Sequence, residues 1–254
     1  MAITIKSERE IELMAEAGKI LERVHNELEK ALRPGMSTKD IDTLGEEIIR
    51  SYGCIPSFLN YNGYPASICV SVNQEVVHGI PDKHRIIQEG DIVSLDAGVI
   101  YKGYHSDAAR TYAVGEVSEE AKKLIQVTKE SFFEGIKFAK AGNHLFDISG
   151  AIGRYAEERG YGVVRDLCGH GIGTALHEAP EIPNYVVGRK GVRLRPGMTL
   201  AIEPMINIGT HEVDWLDDDW TVVTRDGSLS AHYENTILIT EGEPRILSLT
   251  CENE

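Results

Sequence analysis

The chain has 254 residues, of which 26 are Lys or Arg and 40 are Asp or Glu, so its formal net charge is −14 at pH 7. Hydrophobic residues make up 42% and charged residues 26%, an ordinary globular composition for a chain long enough to fold without disulfides or a structural metal. The acidic excess argues against DNA or RNA in a basic groove and against an anionic membrane surface, and it favours cationic partners, including metal ions.

The start of the chain and its cysteines indicate the compartment. No secretory signal pattern opens the chain, and no stretch approaches about 18 uninterrupted apolar residues. The cysteines lie far apart without a Cys-x-x-Cys pair, which favours reduced thiols, most of them small buried hydrophobes. They are Cys54, Cys69, Cys168 and Cys251. We therefore expect a cytoplasmic protein.

A helix pair is predicted first along the chain. Ser7 and Glu10 form a capping box before an amphipathic stripe, which Pro34-Gly35 ends. Ser37 then begins a second helix of about four turns, which Gly53 closes. The two patterns together predict a helical hairpin.

The same helix pair returns later in the chain. Ser118 begins a stripe that stops near Gly142, and another helical stripe starts at Ile148 and ends before Gly160. A shift of the chain on itself by 107 residues superposes Gly35 on Gly142, Asp40 on Asp147, Ile41 on Ile148, Gly53 on Gly160, Gly90 on Gly197, and Asp96 on Glu203. Because both copies show the same order of elements, the offset predicts an internal duplication.

Strand patterns follow each helix pair. They cover 91–101, 104–114, 162–168 and 198–208, and a last hairpin covers 220–239 with its turn at 225–228. No linker composition separates the two copies. We therefore expect one α+β domain over residues 1–254, with approximate halves 1–115 and 116–254 that share a core.

Acidic residues stand inside strands that otherwise read as buried. Asp96, Glu203 and Glu234 are of this kind, and an isolated buried carboxylate costs several kcal/mol or shifts its pKa. If residues 102–103 form a two-residue turn, Asp96 pairs with position 109 and Asp107 is its diagonal neighbour on the same face. Separate solvated strand faces would explain Asp107 alone but not Glu203 or Glu234.

Three histidines are candidates for chemistry. His170 stands in the glycine-rich run 169–173 directly after a strand pattern. A dinucleotide-binding loop is the competing interpretation, but Thr174 replaces its third glycine and no suitable helix follows. His78 and His177 lie in short turn segments, where a lone histidine is more often structural than catalytic. Motifs of zinc proteases, serine hydrolases, phosphate loops and cysteine proteases are absent.

Taken together, the acids and His170 resemble the five-ligand dinuclear site of the methionine aminopeptidases. The segments 71–81, 95–98, 169–173 and 229–234 are similar to the type I, bacterial-style catalytic domain of that family. The resemblance implies the pita-bread fold, with pseudo-twofold α/β halves around a central antiparallel sheet. It also implies metal-dependent removal of the initiator methionine from nascent proteins when the second residue is small.

The resemblance assigns roles to the candidate residues. Asp96 would chelate one metal, Asp107 and Glu234 would bridge, and His170 with Glu203 would hold the other metal. Two divalent ions neutralise the four carboxylates, can share a water and lower its pKa, and the donor set suits Mn²⁺, Fe²⁺ or Co²⁺, while Zn²⁺ can also load. Glu203 would also carry the proton between water and leaving amine.

The family's two non-ligand histidines match His78 and His177, which would contact the scissile amide and stabilise the tetrahedral intermediate. The residues that match the family's methionine pocket are Tyr61, Tyr64, Cys69 and Trp220, with Phe58 and Leu176 at positions where relatives often carry Cys and Phe. Aromatic and sulfur contacts suit a thioether.

Two further positions depart from the family pattern. His232 stands where relatives usually have Gln, and residues 212–219 are acidic where relatives are often basic. The family acts on chains that emerge from ribosomes, and an acidic loop does not suit docking on ribosomal RNA. We expect N-terminal Met peptides and nascent chains as partners, with the ribosome as a further candidate, and a monomeric protein.

Two alternatives stay open from the sequence. The first is an X-Pro peptidase of the prolidase or aminopeptidase P type, which resembles the chain in ligand types but usually carries an additional N-terminal domain. The second is a binding module that keeps the scaffold without catalysis, which the intact set of five ligands disfavours.

Overall fold

The computed structural model describes residues 3–249 and contains both predicted helix pairs. The helices are α1 (Glu8–Ala31), α2 (Thr38–Ser51), α3 (Glu119–Ile136) and α4 (Leu145–Glu157). Helix α1 begins at the predicted capping box, in which the Ser7 side chain accepts the backbone N–H of Glu10 and the Glu10 side chain accepts the N–H of Ser7. Helix α3 ends earlier than predicted, because turns occupy the residues before Gly142. Within the described chain, none of the helices has the length and apolar character that a membrane crossing requires.

The strands are short. In chain order they are β1 (Ile55–Pro56), β2 (Ile68–Val72), β3 (Glu75–Val77), β4 (Ile92–Tyr101), β5 (Tyr104–Ala113), β6 (Gly162–Val163), β7 (Gly169–Gly171), β8 (Glu178–Ile182), β9 (Thr199–Ile202), β10 (Met205–Asn207), β11 (Val213–Trp215), β12 (Val222–Thr224), β13 (Ser230–His232), β14 (Asn235–Leu238) and β15 (Arg245–Ile246). All recorded strand pairs are antiparallel. The mixture of helices and antiparallel sheets is the α+β class that the sequence predicts.

Two sheets carry most of the architecture. The first contains β1, β4 and β2 in that order, with β5 paired to β4, and the second has the order β15-β14-β9-β7-β8. Helices α1 and α2 pack on the first sheet, whereas α3 and α4 pack on the second, and each helix pair buries its own apolar cluster. Two smaller sheets have three strands each, in the orders β13-β10-β6 and β11-β12-β3.

Three strand predictions need correction. The last hairpin is wrong: β12 pairs with β11 and β3, and β13 pairs with β10, so the strands on either side of the turn at 225–228 enter different sheets. The strand predicted at 162–168 shrinks to β6, and the one at 198–208 breaks at Glu203-Pro204 into β9 and β10. The turn signal itself is local, since the Gly227 N–H donates to the Thr224 carbonyl at 3.2 Å, but a turn does not specify which strands pair.

Hydrogen bonds repeat at the predicted offset. The Gly35 N–H donates to the Ile87 carbonyl at 2.9 Å, and the Gly142 N–H donates to the Leu194 carbonyl at 3.0 Å. Both glycines have positive φ, at 91° and 92°, which suits a residue without Cβ. These repeated contacts support the proposed duplication, while the division into halves 1–115 and 116–254 of one domain stays a prediction.

The two predicted halves meet where β5 lies beside residues 232–236. Ala109 and Glu234 exchange backbone hydrogen bonds at 3.4 and 2.9 Å. On either side, a threonine hydroxyl accepts the N–H and donates to the C=O of the residue opposite. These bridges join Thr111 to His232, at 2.9 Å for both bonds, and Thr236 to Asp107, at 2.9 and 3.0 Å. The junction therefore holds acids of both halves side by side.

Candidate active site

Strand alternation turns Asp96 away from the helices. Its neighbours Leu95 and Ala97 are fully buried in the core under α1 and α2, and successive strand side chains point to opposite faces. The turn before β5 forms as the sequence predicts, with Ala109 opposite Asp96. Asp107 lies opposite Gly98, one step along the same face, so two carboxylates enter one space.

The second sheet adds three groups to this space. His170 is the middle residue of β7, Glu203 follows β9 directly, and Glu234 lies between β13 and β14. The His170 Nε2 atom lies 3.5 Å from a Glu203 oxygen and 3.8 Å from an Asp107 oxygen. One donor atom each of Asp107, His170 and Glu234 fall within 4.8 Å of one another. All five predicted ligand residues thus surround a single volume.

Glycines on both sides of His170 make this packing feasible. A Cβ on Gly169 would overlap the carbonyl oxygen of Ala201 in the adjacent strand β9, and a Cβ on Gly171 would overlap that of Ala179 in β8. Strand β7 is therefore held between two backbones, which only glycine permits. The glycine-rich run around His170 consequently serves close strand packing.

In the described part of the chain, no Lys or Arg forms a salt bridge with these four carboxylates, and Arg110 lowers the pKa of Glu234 only in part. Burial, with mutual repulsion added, raises the pKa of Glu203, Asp107 and Glu234 well above their usual range, and burial raises that of Asp96 to about 7. Oxygen atoms Oδ1 of Asp96, Oδ1 of Asp107 and Oε1 of Glu234 are buried without a hydrogen-bond partner. Among the described residues, no Lys or Arg lines the cavity around them. Such orphaned oxygens fit divalent cations as the missing partners.

The three candidate histidines of the site favour their neutral form. Burial lowers the pKa of His170 to about 3 and that of His78 to about 4, and burial also lowers the pKa of His177. The Nδ1 atom of His170 faces the Gly171 carbonyl at 2.9 Å, so with a proton on Nδ1 the Nε2 lone pair points at the carboxylates. Four oxygen ligands and one nitrogen ligand can hold two divalent ions.

The five predicted ligand residues line one cavity of about 300 Å³. The predicted pocket residues line the rest of it: Tyr61, Tyr64, Cys69, Trp220, Phe58 and Leu176, together with His78 and His177. The Trp220 ring packs edge-on against Tyr64 with centroids 5.1 Å apart, and the Tyr64 hydroxyl donates to the Gly79 carbonyl at 2.9 Å. The cavity lining therefore combines acidic side chains with aromatic and sulfur-containing ones.

The two non-ligand histidines flank this cavity. His177 packs edge-on against His170 with centroids 4.2 Å apart, and its Nδ1 lies 2.9 Å from the Tyr61 hydroxyl. When that hydroxyl donates, the imidazole proton stands on Nε2. His78 has a φ of +60°, a left-handed conformation that is uncommon for a residue with a Cβ and is concentrated at functional sites.

The sequence does not predict every residue that lines the cavity. Most of the cysteines are predicted to be small buried hydrophobes, but Cys168 is half-buried and lines the cavity, as do Met205 and Asp166. Its position directly before the glycine run was the available signal. Cys54 and Cys69 are free and buried as expected, and Cys251 lies outside the described residues.

The two departures from the family pattern behave differently. His232 is buried, and neither ring nitrogen has a hydrogen-bond partner; its Nε2 lies 3.9 Å from a Glu234 oxygen. Two acids of the loop 212–219 pair with Arg225, which lies outside the loop: Glu212 at 2.9 Å and Asp214 at 3.0 Å. Part of the acidic charge of the loop is therefore compensated at its base.

Known proteins that are similar to this chain agree with the family resemblance. The profile of metallopeptidase family M24 matches residues 12–241. A methionine aminopeptidase from Clostridium acetobutylicum is 58% identical over 250 residues, which are 98% of this chain and 100% of that protein. The crystal structure of a methionine aminopeptidase from Thermotoga maritima has a TM-score of 0.96 at 48% identity and covers 98% of this chain and 100% of that chain. An Xaa-Pro dipeptidase from Bacillus anthracis has a TM-score of 0.78 at 27% identity, and the match covers 98% of this chain but 63% of that chain.

Proposed function

The chain belongs to metallopeptidase family M24, and on this premise we propose that it is a methionine aminopeptidase, which removes the initiator methionine of proteins whose second residue is small. The resemblance to that family is confirmed, and the pita-bread fold with it. The observation that carries the proposal is the cavity in which four carboxylates and His170 face an aromatic, sulfur-containing wall.

The five clustered residues are proposed to hold two divalent ions. Asp96 would hold one ion, His170 and Glu203 would hold the second, and Asp107 and Glu234 would contribute ligands to both. When bound, the ions supply Lewis acidity, which lowers the pKa of water and stabilises negative charge at the scissile amide. The identity of the ion in the cell is not fixed by this donor set, which suits Mn²⁺, Fe²⁺ and Co²⁺ and also accepts Zn²⁺.

The side chains of the chain itself do the remaining work. Glu203, which lines the cavity beside His170, is proposed to take a proton from the attacking water and to deliver it to the leaving amine. His177 donates from Nε2 to the carbonyl oxygen of the scissile bond, with Tyr61 fixing its tautomer at Nδ1. The His78 ring lies beside Trp220, with centroids 6.3 Å apart. In our proposal His78 contacts the same amide.

The methionine side chain is proposed to occupy the aromatic end of the cavity. Tyr61, Tyr64 and Trp220 offer ring edges and faces, and Cys69 adds a thiol whose pKa burial raises well above its usual range. Such soft contacts favour a thioether over a charged side chain. Leu176 and Phe58 complete the wall and set the shape of the pocket.

Replacing His177 by Ala is expected to lower kcat by on the order of 100-fold, because one donor to the developing oxyanion is lost. Metal content is expected to stay at the wild-type level, since the ligand residues are untouched. Steady-state kinetics on Met-Ala-Ser together with metal analysis of the purified variant checks both. A His177→Ala enzyme with unchanged kcat contradicts the assigned role.

Substrate choice tests the function as a whole. The purified protein, loaded with Mn²⁺ or Co²⁺, is expected to release methionine from Met-Ala-Ser and to leave Ala-Pro-Gly intact. The X-Pro peptidase alternative predicts the reverse preference, and a binding module predicts no release from either peptide. Mass spectrometry of the two peptides after incubation distinguishes all three.

The setting of the reaction is also a proposal. A cytoplasmic monomer that acts on nascent chains fits the reduced cysteines and the substrate class. We also propose association with the ribosome, where the acidic residues at 212–219 favour contacts with basic protein rather than with RNA.

A further inference from the structure

A buried ion pair lies directly behind the loop that carries His177. The Lys6 Nζ atom donates to Glu178 Oε2 at 2.7 Å, and only 4% of the Lys6 side chain and 12% of the Glu178 side chain are exposed. The Thr4 hydroxyl donates to the same carboxylate oxygen at 2.6 Å and also lies in contact with Nζ. Burial alone would raise the Glu178 pKa, but the bonds from Lys6 and Thr4 outweigh it and lower that pKa.

The pair is anchored to the loop and to the body of the protein. The Lys6 N–H donates to the Gly197 carbonyl at 2.8 Å, and a Cβ on Gly173 would overlap the Lys6 side chain. The other Glu178 oxygen accepts the N–H of Ala175 at 3.4 Å. Through Glu178 and Lys6, the loop from Gly173 to His177 is thus linked to the backbone at Gly197.

His177 needs such an anchor because the residue is solvent-exposed, although the cavity desolvates its ring enough to lower its pKa. Among the described residues its recorded ring contacts are those with Tyr61 and His170. Because these ring contacts are few, the position of the His177 Cα depends on how the following residue, Glu178, is held. A displacement of about 1 Å at a catalytic group can cost on the order of 100-fold in rate.

We propose that Lys6 and Glu178 are positioning residues, which hold His177 at the scissile amide by clamping its loop to the N-terminal segment. The inference rests on the proposed function, because it assigns His177 a role in that reaction. Neither residue lines the cavity that the proposed ligands share, although Glu178 lines a second cavity beside His170 and His177.

The test compares Lys6→Met and Glu178→Gln with Lys6→Arg on Met-Ala-Ser, with kcat, KM, melting temperature and metal content measured for each. Lys6→Met and Glu178→Gln are expected to lower kcat by about 10-fold to 100-fold and to change KM less than about twofold. Lys6→Arg keeps the charge and is expected to retain most of kcat. The matched control is Lys19→Met, which breaks the exposed Lys19–Glu16 pair, also 2.7 Å long, and is expected to act as wild type.

A double-mutant cycle shows whether the effect passes through His177. In the His177→Ala background, Glu178→Gln is expected to lower kcat no further, because the group it positions is already gone. An equal loss in both backgrounds, or an unchanged kcat in the wild-type background, overturns the proposal. Glu178→Gln keeps the volume of the side chain, so the cycle can be read even where Lys6→Met folds poorly. A wild-type protein without activity on Met-Ala-Ser would instead reject the proposed function.

Discussion

Asp96→Ala is expected to abolish metal binding and peptidase activity together. The remaining carboxylates stay close to one another, but the cage loses one of its ligands and one of the charges that favour a second cation. The loss of activity is expected to be on the order of 1,000-fold or more, larger than the loss of a single oxyanion donor. Glu203→Ala is expected to behave in the same way, because the proposal assigns Glu203 both a ligand role and the proton transfer.

A matched control separates this effect from a general change in charge. Glu119→Ala removes a carboxylate whose side chain is 89% exposed on α3, and its pair with Lys122 is a surface contact. That variant is expected to bind metal and cleave Met-Ala-Ser as the wild type does. Isothermal titration with Mn²⁺ and steady-state kinetics on the same samples give the comparison. Full activity in metal-free Asp96→Ala protein is incompatible with the proposed site.

Without metal, Asp96→Asn is expected to stabilise the protein, and the gain is expected to grow as the pH rises. Burial raises the pKa of Asp96 to about 7 from an ordinary value of 3.8. An acid whose pKa is raised in the folded state contributes full stability below its unfolded pKa and loses it as the pH rises to the folded value. The window is therefore about pH 4 to pH 7, with a slope of at most about 1.4 kcal/mol per pH unit.

The comparison between variant and wild type is essential here. Burial lowers the pKa of His25 and His170 to about 3, and such groups act in the opposite direction, since they lose stability as the pH falls below about 6.5. Their contribution cancels in the difference between Asp96→Asn and wild type. Urea unfolding of both metal-free proteins at pH 5 and pH 8 measures that difference. Equal differences at the two pH values would contradict the raised pKa.

Metal should reverse the order of stability. Mn²⁺ binds the folded cage and not the unfolded chain, so it raises the melting temperature of the wild type by mass action. The rise is expected to be greater at pH 8 than at pH 5, because protons compete for the carboxylates at the lower pH. Asp96→Asn is expected to gain little from Mn²⁺ at either pH.

Local signals account for the parts of the fold that the sequence predicts well. The capping box at Ser7 and the two-residue turn before β5 depend on residues within a few positions of each other. The turn sets the register, and the register places Asp107 on the face of Asp96 without further information. These two acids were thus accessible by geometry alone.

Long-range contacts mark where prediction from the sequence ends. The pairing of β12 with β3 joins segments that are distant in the chain, and the turn beside β12 does not encode it. The Lys6–Glu178 pair is likewise invisible in the sequence, where Lys6 reads as an exposed residue before a helix. Convergence of His170 and Glu203 on Asp107 was expected from the family resemblance rather than from spacing.

Diffraction from a crystal grown with Mn²⁺, measured at the manganese absorption edge, tests the central claim most directly. The account predicts two anomalous peaks per chain among the side chains of Asp96, Asp107, His170, Glu203 and Glu234. Peaks confined to other parts of the surface, in crystals of a preparation that cleaves Met-Ala-Ser, would contradict it.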